Sequence, residues 1–256
     1  MDRAAFDGLT DRLVAWASDA PGVLGLLLVG SAAGTTHEPD GWSDHDFFVI
    51  AEPAVAPALR ASAAWLPVPQ GAIVLHEQDT AHGAWAVLDD GHLLEYAVFA
   101  PDELALSRSG ALRVAVDRLG DLEARMAPTL APPRRDPASI ASALLRAALV
   151  GAGRAARGER LVGRRHLGDA AGALLALLAL EGAPDALDPW RRVEQHRPAI
   201  AAALDRELAR GDASAASAFV ALAADLFAHE PWWPRALADA VRPRIEAAGR
   251  PRAAGG

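Results

Sequence analysis

The chain has 256 residues, a formal net charge of −8 at pH 7 and no cysteine. This length suffices for one large domain or two modest ones. The acidic balance argues against a general nucleic-acid-binding protein, because such proteins usually have a basic surface. The lack of cysteine excludes disulfides and thiolate zinc sites.

Hydropathy and residue usage further limit the expected location of the protein and the type of cation that its side chains can offer. No apolar stretch is long enough to predict a membrane span, and the acidic, helix-patterned start does not resemble a signal peptide. We therefore expect a cytoplasmic protein with no membrane partner. Lysine is absent, so all 25 basic residues are arginine. Any side-chain cation on a phosphate is then a planar guanidinium.

The N-terminal elements alternate between helix and strand patterns. Apolar residues at helical spacing predict a helix over residues 2–18, which a Pro-Gly pair ends. Short apolar runs at 23–29 and 46–50 are typical of buried strands. The Ala-rich segment 53–66 predicts a second helix.

A Gly-Ser pair and two carboxylates lie at the facing ends of these two strands. Gly30 and Ser31 follow the first apolar run, and Asp44 and Asp46 begin the second. Residues two apart on a strand point to the same face, where two carboxylates repel each other unless a cation lies between them. Mg²⁺ prefers such oxygen ligands, and the Gly-Ser turn can present amide and hydroxyl groups to phosphate oxygens.

The arrangement resembles the signature of the polymerase-β-like nucleotidyltransferase superfamily: a hydrophobic strand, Gly-Ser, a spacer and Asp-x-Asp. Here LGLLLV precedes Gly30, and twelve residues separate Ser31 from Asp44. The form beginning at Ser43 is most similar to the small-molecule (antibiotic) adenylyltransferases and to the minimal nucleotidyltransferases. His45 departs from the pattern, since the family usually has an aliphatic residue there.

The resemblance implies an α+β fold, in which a nucleotidyltransferase domain with a small mixed sheet precedes an all-α helical bundle. It also implies Mg²⁺ held by Asp44 and Asp46, with ATP as nucleotide donor. Gly30, Ser31 and Ser43 are the expected nucleotide-binding residues of this segment.

A family member needs a third carboxylate on a neighbouring strand, and Glu95 is our candidate. Patterns rich in β-formers predict three further strands, at 71–78, 84–90 and 92–99. By resemblance, Glu95 in the last of them is a metal ligand or the general base. The alternative is a strand glutamate that faces solvent. Glu77 is the second candidate, and we assign Asp89 and Asp90 to a hairpin turn.

After the predicted strands, the chain becomes helical. Asp136 and Pro137 predict the N-cap and first position of a helix, and further helices are expected at 160–181, 189–209, 212–229 and 234–248. We predict a catalytic domain (1–108), a connecting helix and Pro-rich linker (109–137), an acceptor-binding bundle (138–248) and a flexible tail (249–256). The resemblance implies that the active site opens between the two domains.

Several other residues have both functional and structural interpretations. Arginines near the first interhelical connection can reach the triphosphate or form a solvated face: Arg154, Arg160, Arg164 and Arg165. Trp42 can stack on a ring of a substrate or pack its own loop. Acidic residues around Trp190 can line a pocket for a cationic acceptor or cap helices: Asp185, Asp188 and Glu194.

The resulting hypothesis is a Mg²⁺-dependent enzyme that moves AMP from ATP to a hydroxyl of a small molecule, such as an aminoglycoside or lincosamide antibiotic, and releases pyrophosphate. Two alternatives stay open. One is an antitoxin-like nucleotidyltransferase that AMPylates or sequesters a partner protein, and the other is a member that binds nucleotides without turnover.

Overall fold

The computed structural model describes residues 1–34, 38–107, 110–130, 135–182 and 188–249. The chain divides into two compact units, Met1–Pro132 and Pro133–Gly256. The first unit combines helices with a six-stranded sheet, and the described part of the second is helical. The expected α+β class is confirmed at this level.

The sheet of the first unit has the strand order β3-β4-β5-β2-β1-β6. β2 and β5 pair in parallel, and the other neighbouring strands pair antiparallel. The strands are β1 (Val23–Val29), β2 (His45–Ala51), β3 (Ile73–Gln78), β4 (Gly83–Leu88), β5 (Leu93–Phe99) and β6 (Leu112–Asp117). The helices of this unit are α1 (Arg3–Asp19), α2 (Ala56–Ala61) and α3 (Leu122–Met126), together with 3₁₀ turns at Gly30–Ala33, Leu104–Leu106 and Ala127–Leu130.

The two faces of the sheet differ in burial because residues alternate along each strand. The closed face packs against α1 and α2, and its strand residues are buried: Leu26, Leu28, His45, Phe47, Val49, Ala84, Ala86, Leu94, Tyr96 and Val98. Burial of each large apolar side chain there contributes about 1.5–3 kcal/mol. The open face is only partly covered, by a small cluster that includes Leu122 and Met126.

The first helix has the sequence features that its position requires. Asp2 is the N-cap, and its side chain accepts a hydrogen bond from the amide of Ala5 at 2.8 Å. The buried residues of α1 recur at helical spacing: Phe6, Leu9, Leu13 and Ala17. The helix predicted over 2–18 is therefore confirmed to within one residue at each end.

The predicted second helix, 53–66, is wrong in its length. α2 covers only Ala56–Ala61, with Pro57 in its first turn. The chain turns back after Ser62, where the indole N–H of Trp65 donates to the carbonyl of Leu59 at 2.8 Å. That bond satisfies a helix-end carbonyl that a longer helix would have bonded internally.

The segment 109–137, predicted as a connecting helix and linker, carries the sixth strand in addition to the short helix α3. β6 pairs with β1 and forms one edge of the sheet. The side chain of Asp117 ends it by accepting the amides of Leu119, Gly120 and Leu122. The sheet unit thus continues past residue 108.

The second unit packs its helices around an Ala- and Leu-rich core. Its helices are α4 (Pro137–Ala156), α5 (Arg160–Ala179), α6 (Val193–His196), α7 (Pro198–Arg210), α8 (Ala213–Phe227) and α9 (Arg235–Ala248). α4 begins as predicted, because Asp136 accepts the amides of Ala138 and Ser139. The single helix predicted over 189–209 is wrong: Pro198 has no amide hydrogen, and Arg197 before it is non-helical.

Two further sequence predictions concern the chain end and membranes. α9 ends at Ala248, and residues 250–256 of the predicted tail lie outside the described residues. None of the helices in the described ranges combines the length and hydrophobicity that a membrane crossing requires.

Candidate metal and phosphate site

Three carboxylates meet where β2 and β5 begin. Asp44 precedes β2, Asp46 is its second residue, and Glu95 is the third residue of β5. The parallel pairing places Asp46 opposite Glu95, so both side chains lie on the open face. One ligand oxygen from each of the three residues lies within 4.8 Å of the others. The structure therefore brings together the three acids that the sequence singled out.

The chemistry of this cluster fits a hard divalent cation. Asp44 and Asp46 are half-buried and Glu95 is exposed. Three carboxylates at this separation repel one another, and a cation between them relieves the repulsion. The donors are all oxygen, with room for further oxygen ligands on the exposed side, which suits Mg²⁺ better than a metal that prefers nitrogen or sulfur.

Gly30 lies directly against this cluster, at the end of β1. Its φ is +59°, a conformation that favours glycine. A Cβ there would lie 2.7 Å from Oδ2 of Asp46. The amide of Gly30 already donates to the carbonyl of Ala111 at 3.2 Å. Gly30 therefore contributes space for the Asp46 carboxylate, and its own amide is not the phosphate donor that the turn was expected to provide.

Ser31 follows in the same turn and has an unusual hydroxyl. The residue is only 7% exposed, and its Oγ has no hydrogen-bond partner within the described part of the chain. Buried hydroxyls in proteins are nearly always bonded, so an exception calls for an explanation. The hydroxyl belongs to the same turn as Gly30, which adjoins the Asp46 carboxylate.

Arg113 adjoins the Gly-Ser turn from the closed face of the sheet, and sequence reasoning missed this position. It lies on β6, opposite Leu28 of β1, and its Nε donates to the carbonyl of Ala33 at 3.0 Å. That bond fixes the guanidinium beside the Gly30–Ala33 turn and uses one of its five N–H donors. Recognition of β6 as a strand would have placed this arginine next to the Gly-Ser turn.

The loop before Asp44 is ordered by its own polar groups. Asp40 accepts the amide of Trp42 at 2.8 Å through Oδ1, and its amide donates to Oγ of Ser43 at 2.9 Å. Ser43, predicted to bind nucleotide, thus holds the turn that leads into Asp44. Trp42 is 97% exposed, so it does not pack its own loop. His37 of the same loop lies outside the described residues.

Behind the carboxylates, on the closed face, lies a pair of buried histidines. Nδ1 of His45 is 2.6 Å from Nε2 of His92, and Nε2 of His45 is 3.0 Å from Oγ1 of Thr10. Phe6 stacks on His45 with ring centroids 3.8 Å apart. Burial, with a smaller effect of His92, lowers the pKa of His45 to about 3, and burial also lowers the pKa of His92. Both rings are therefore neutral at neutral pH.

One row of side chains crosses the open face from the triad towards the far edge. Strand register aligns Asp46 with Glu95, Glu95 with Trp85, and Trp85 with Glu77. Glu77, the second candidate for the third carboxylate, is thus two strands beyond Glu95. Trp85 adjoins the triad and is half-buried. Sequence analysis passed over it because strand tryptophans usually pack a core.

The arginines proposed for the triphosphate belong to the helical unit. Arg154 forms a 2.6 Å ion pair with Glu159 across the α4–α5 turn. Arg164 lies over Gly211, where a Cβ would be 2.4 Å from its Nε. The contacts of these two residues explain their positions without a nucleotide.

The helical unit contains a cavity of about 670 Å³, a size typical of small-molecule sites. Trp190 forms one wall, with Asp136, Ser139 and Asp169 among the polar lining residues. The acids predicted around Trp190 are placed differently: Asp188 accepts the tryptophan amide, Glu194 lies on α6, and Asp185 lies outside the described residues.

Comparison with protein families and with curated proteins gives no match: the chain matches no family model, and no curated protein is significantly similar to it.

Proposed function

We propose that the protein is a Mg²⁺-dependent nucleotidyltransferase that moves AMP from ATP to a hydroxyl of a small molecule and releases pyrophosphate. One observation carries the proposal: three carboxylate oxygens lie within 4.8 Å of one another, against Gly30 of a turn whose next residue, Ser31, has a buried hydroxyl without a partner among the described residues. A metal site and a phosphate-binding group at one place are what phosphoryl chemistry on a nucleoside triphosphate requires.

Each residue of the site has a defined role in the proposed reaction. Asp44, Asp46 and Glu95 would hold the ion, and bound Mg²⁺ would neutralise charge on the triphosphate. Ser31 would donate its hydroxyl hydrogen to a phosphate oxygen. Any side-chain cation on the triphosphate would be arginine in a chain without lysine.

Glu95 is also the best-placed general base. It is the exposed member of the triad, so an acceptor can approach it from solvent. Its carboxylate would take the proton from the attacking hydroxyl as that oxygen bonds to the α-phosphorus and pyrophosphate leaves. Trp85 adjoins Glu95, and Trp42 projects near Asp44, so both indoles can contact a ring of the nucleotide or the acceptor.

The acceptor class remains part of the proposal. The Trp190 cavity is lined by charged residues of both signs and by an indole, and the resemblance suggests an aminoglycoside or lincosamide as the acceptor. We expect the reaction in the cytoplasm, where ATP and Mg²⁺ are available.

The direct test is incubation of the full chain with each nucleoside triphosphate, Mg²⁺ and a panel of antibiotics and other amino alcohols. Pyrophosphate release and acceptor mass are followed together. We expect one acceptor to gain the mass of a nucleoside monophosphate, with stoichiometric pyrophosphate. Glu95→Gln should slow this gain about 10²-fold or more through loss of the base, while Glu77→Gln should not.

Two results would contradict the proposal. One is an unmodified panel from protein that binds ATP normally, which would remove the small-molecule acceptor. The other is full activity of Glu95→Gln, which would remove the assigned role of that residue.

A further inference from the structure

The buried histidine pair forms a continuous series of hydrogen-bond contacts. Oγ1 of Thr10 lies 3.2 Å from the carbonyl of Phe6 and 3.0 Å from Nε2 of His45. Nδ1 of His45 lies 2.6 Å from Nε2 of His92. Each contact needs one donor and one acceptor, and either direction of donation along the series supplies them. The result is a chain of contacts from His92 through His45 to α1.

This chain connects the elements that carry the triad. His45 lies between Asp44 and Asp46, and His92 lies three residues before Glu95. His92 is itself anchored in the β4–β5 hairpin, because its carbonyl accepts the amide of Leu88 and its amide donates to Asp90. The His45–His92 bond therefore ties the start of β2 to the hairpin that leads into β5.

The alternation of apolar residues alone does not fix the register of these two parallel strands. A slip of one residue would exchange the faces and bury the acids, so it is strongly disfavoured. A slip of two residues keeps every side chain on its face, and Asp46 would then lie opposite Ala97 or Leu93. Specific contacts therefore favour the observed register, among them the stack of Phe47 on Tyr96 and the contact between His45 and His92.

We propose that Thr10, His45 and His92 are positioning residues that hold Asp44, Asp46 and Glu95 in metal-binding geometry. A slipped register would separate the ring nitrogens of His45 and His92, which are 2.6 Å apart, and leave both buried without a partner. The chain of bonds thus makes the observed register the one in which buried polar groups are satisfied. The hydrogen-bonded chain lies on the closed face, whereas the carboxylates that it positions lie on the open face.

This inference rests on the metal site of the proposed function but is tested without nucleotide or acceptor. Binding of Mn²⁺ alone to the metal-free full chain is measured by electron paramagnetic resonance, and thermal unfolding is measured in chelator. His92→Leu removes the hydrogen-bonding partner of His45, whereas His92→Gln retains a side chain with both a donor and an acceptor. We expect Mn²⁺ affinity to fall about tenfold in His92→Leu and to stay within about twofold of the original in His92→Gln.

Tyr96→Phe is the matched control. It removes another hydrogen bond to a histidine on the closed face, the 2.9 Å contact between His76 and the Tyr96 hydroxyl, and should leave Mn²⁺ affinity unchanged. If His92→Leu does not fold, Thr10→Val removes the hydroxyl at the other end of the chain. We expect that variant to lose affinity about threefold.

The outcomes separate the two proposals. If the original protein binds Mn²⁺ and folded His92→Leu or Thr10→Val binds it equally well, the positioning role is wrong and the metal site stands. An equal loss in Tyr96→Phe also overturns the positioning role, because the effect is then general destabilisation. If the original protein binds no Mn²⁺, the metal site fails, and the positioning role fails with it.

Discussion

The two faces of the sheet differ most where β2 begins. Asp44, His45 and Asp46 are consecutive, yet the histidine is fully buried and hydrogen-bonded at both ring nitrogens, while the two acids reach a half-exposed cluster. The closed face satisfies its polar groups internally. The open face gathers like charges, near a serine hydroxyl that has no partner among the described residues. This contrast teaches that neighbouring residues of one strand have opposite environments, which under our proposals position the carboxylates on one face and bind the ion on the other.

The largest expected effect comes from neutralising the open face. Asp46→Asn removes a charge from the centre of the cluster and should lower the rate of pyrophosphate release about 10³-fold or more, because several kcal/mol of charge stabilisation is lost. The fold should persist, since the substitution also relieves repulsion with Glu95. Steady-state kinetics and thermal unfolding measure the two effects. Glu77→Gln, on the same face, is the control; an equal loss there would mean that overall acidity matters and the cluster does not.

A smaller effect is expected from crowding the open face. Gly30→Ala and Gly34→Ala both introduce a Cβ at positive φ, +59° and +64°, so both should lose about 1 kcal/mol of stability. Only the first Cβ meets the Asp46 carboxylate, whereas the second has nothing within 4 Å. Gly30→Ala should therefore lose about 10- to 100-fold in activity and Gly34→Ala little. Equal activities of the two variants would show that the position of the Asp46 carboxylate is not critical.

The smallest expected effect is a pH dependence from the closed face. Burial lowers the pKa of His45 to about 3 in the folded protein, whereas the pKa of an unfolded histidine is about 6.5. As pH falls from 7 to 5, the unfolded state binds a proton that the native state does not, so stability decreases. The loss should be about 2 kcal/mol larger in the original protein than in His45→Leu.

Urea unfolding in chelator measures that difference, and Tyr96→Phe, which keeps His45, should retain the full pH dependence. The same pH dependence in His45→Leu would mean that other groups are responsible.

Much of the sheet unit was predictable because its signals are local. Alternating apolar residues and the Asp89-Asp90-Gly91 turn mark β4 and β5 in the sequence, and Gly91 has a φ of +81° in the structure. The resemblance suggested that Glu95 would lie near Asp46. β6 was missed because it is an edge strand whose residues are only partly buried and alternate weakly. The unpaired hydroxyl of Ser31 is a property of the folded surroundings, which no local pattern contains.

The role of His45 could not be predicted for a different reason. Its partners lie 35 and 47 residues away in sequence, and neither Thr10 nor His92 belongs to a recognisable motif. From the sequence, His45 was only a departure from an expected aliphatic residue. The boundaries of the helical unit were easier, because Asp136 and Pro137 form a strong local start signal.

The parallel pairing of β2 with β5 also affects when the site can exist during folding. The β3–β4 and β4–β5 pairs are local hairpins, but β2 meets β5 only after the chain has closed a loop of more than forty residues. Asp44 and Asp46 are therefore exposed without Glu95 for as long as that loop stays open. A nascent chain would gain all three proposed metal ligands only when the hairpins pack beside β2. Binding of the ion would therefore be a late event in folding.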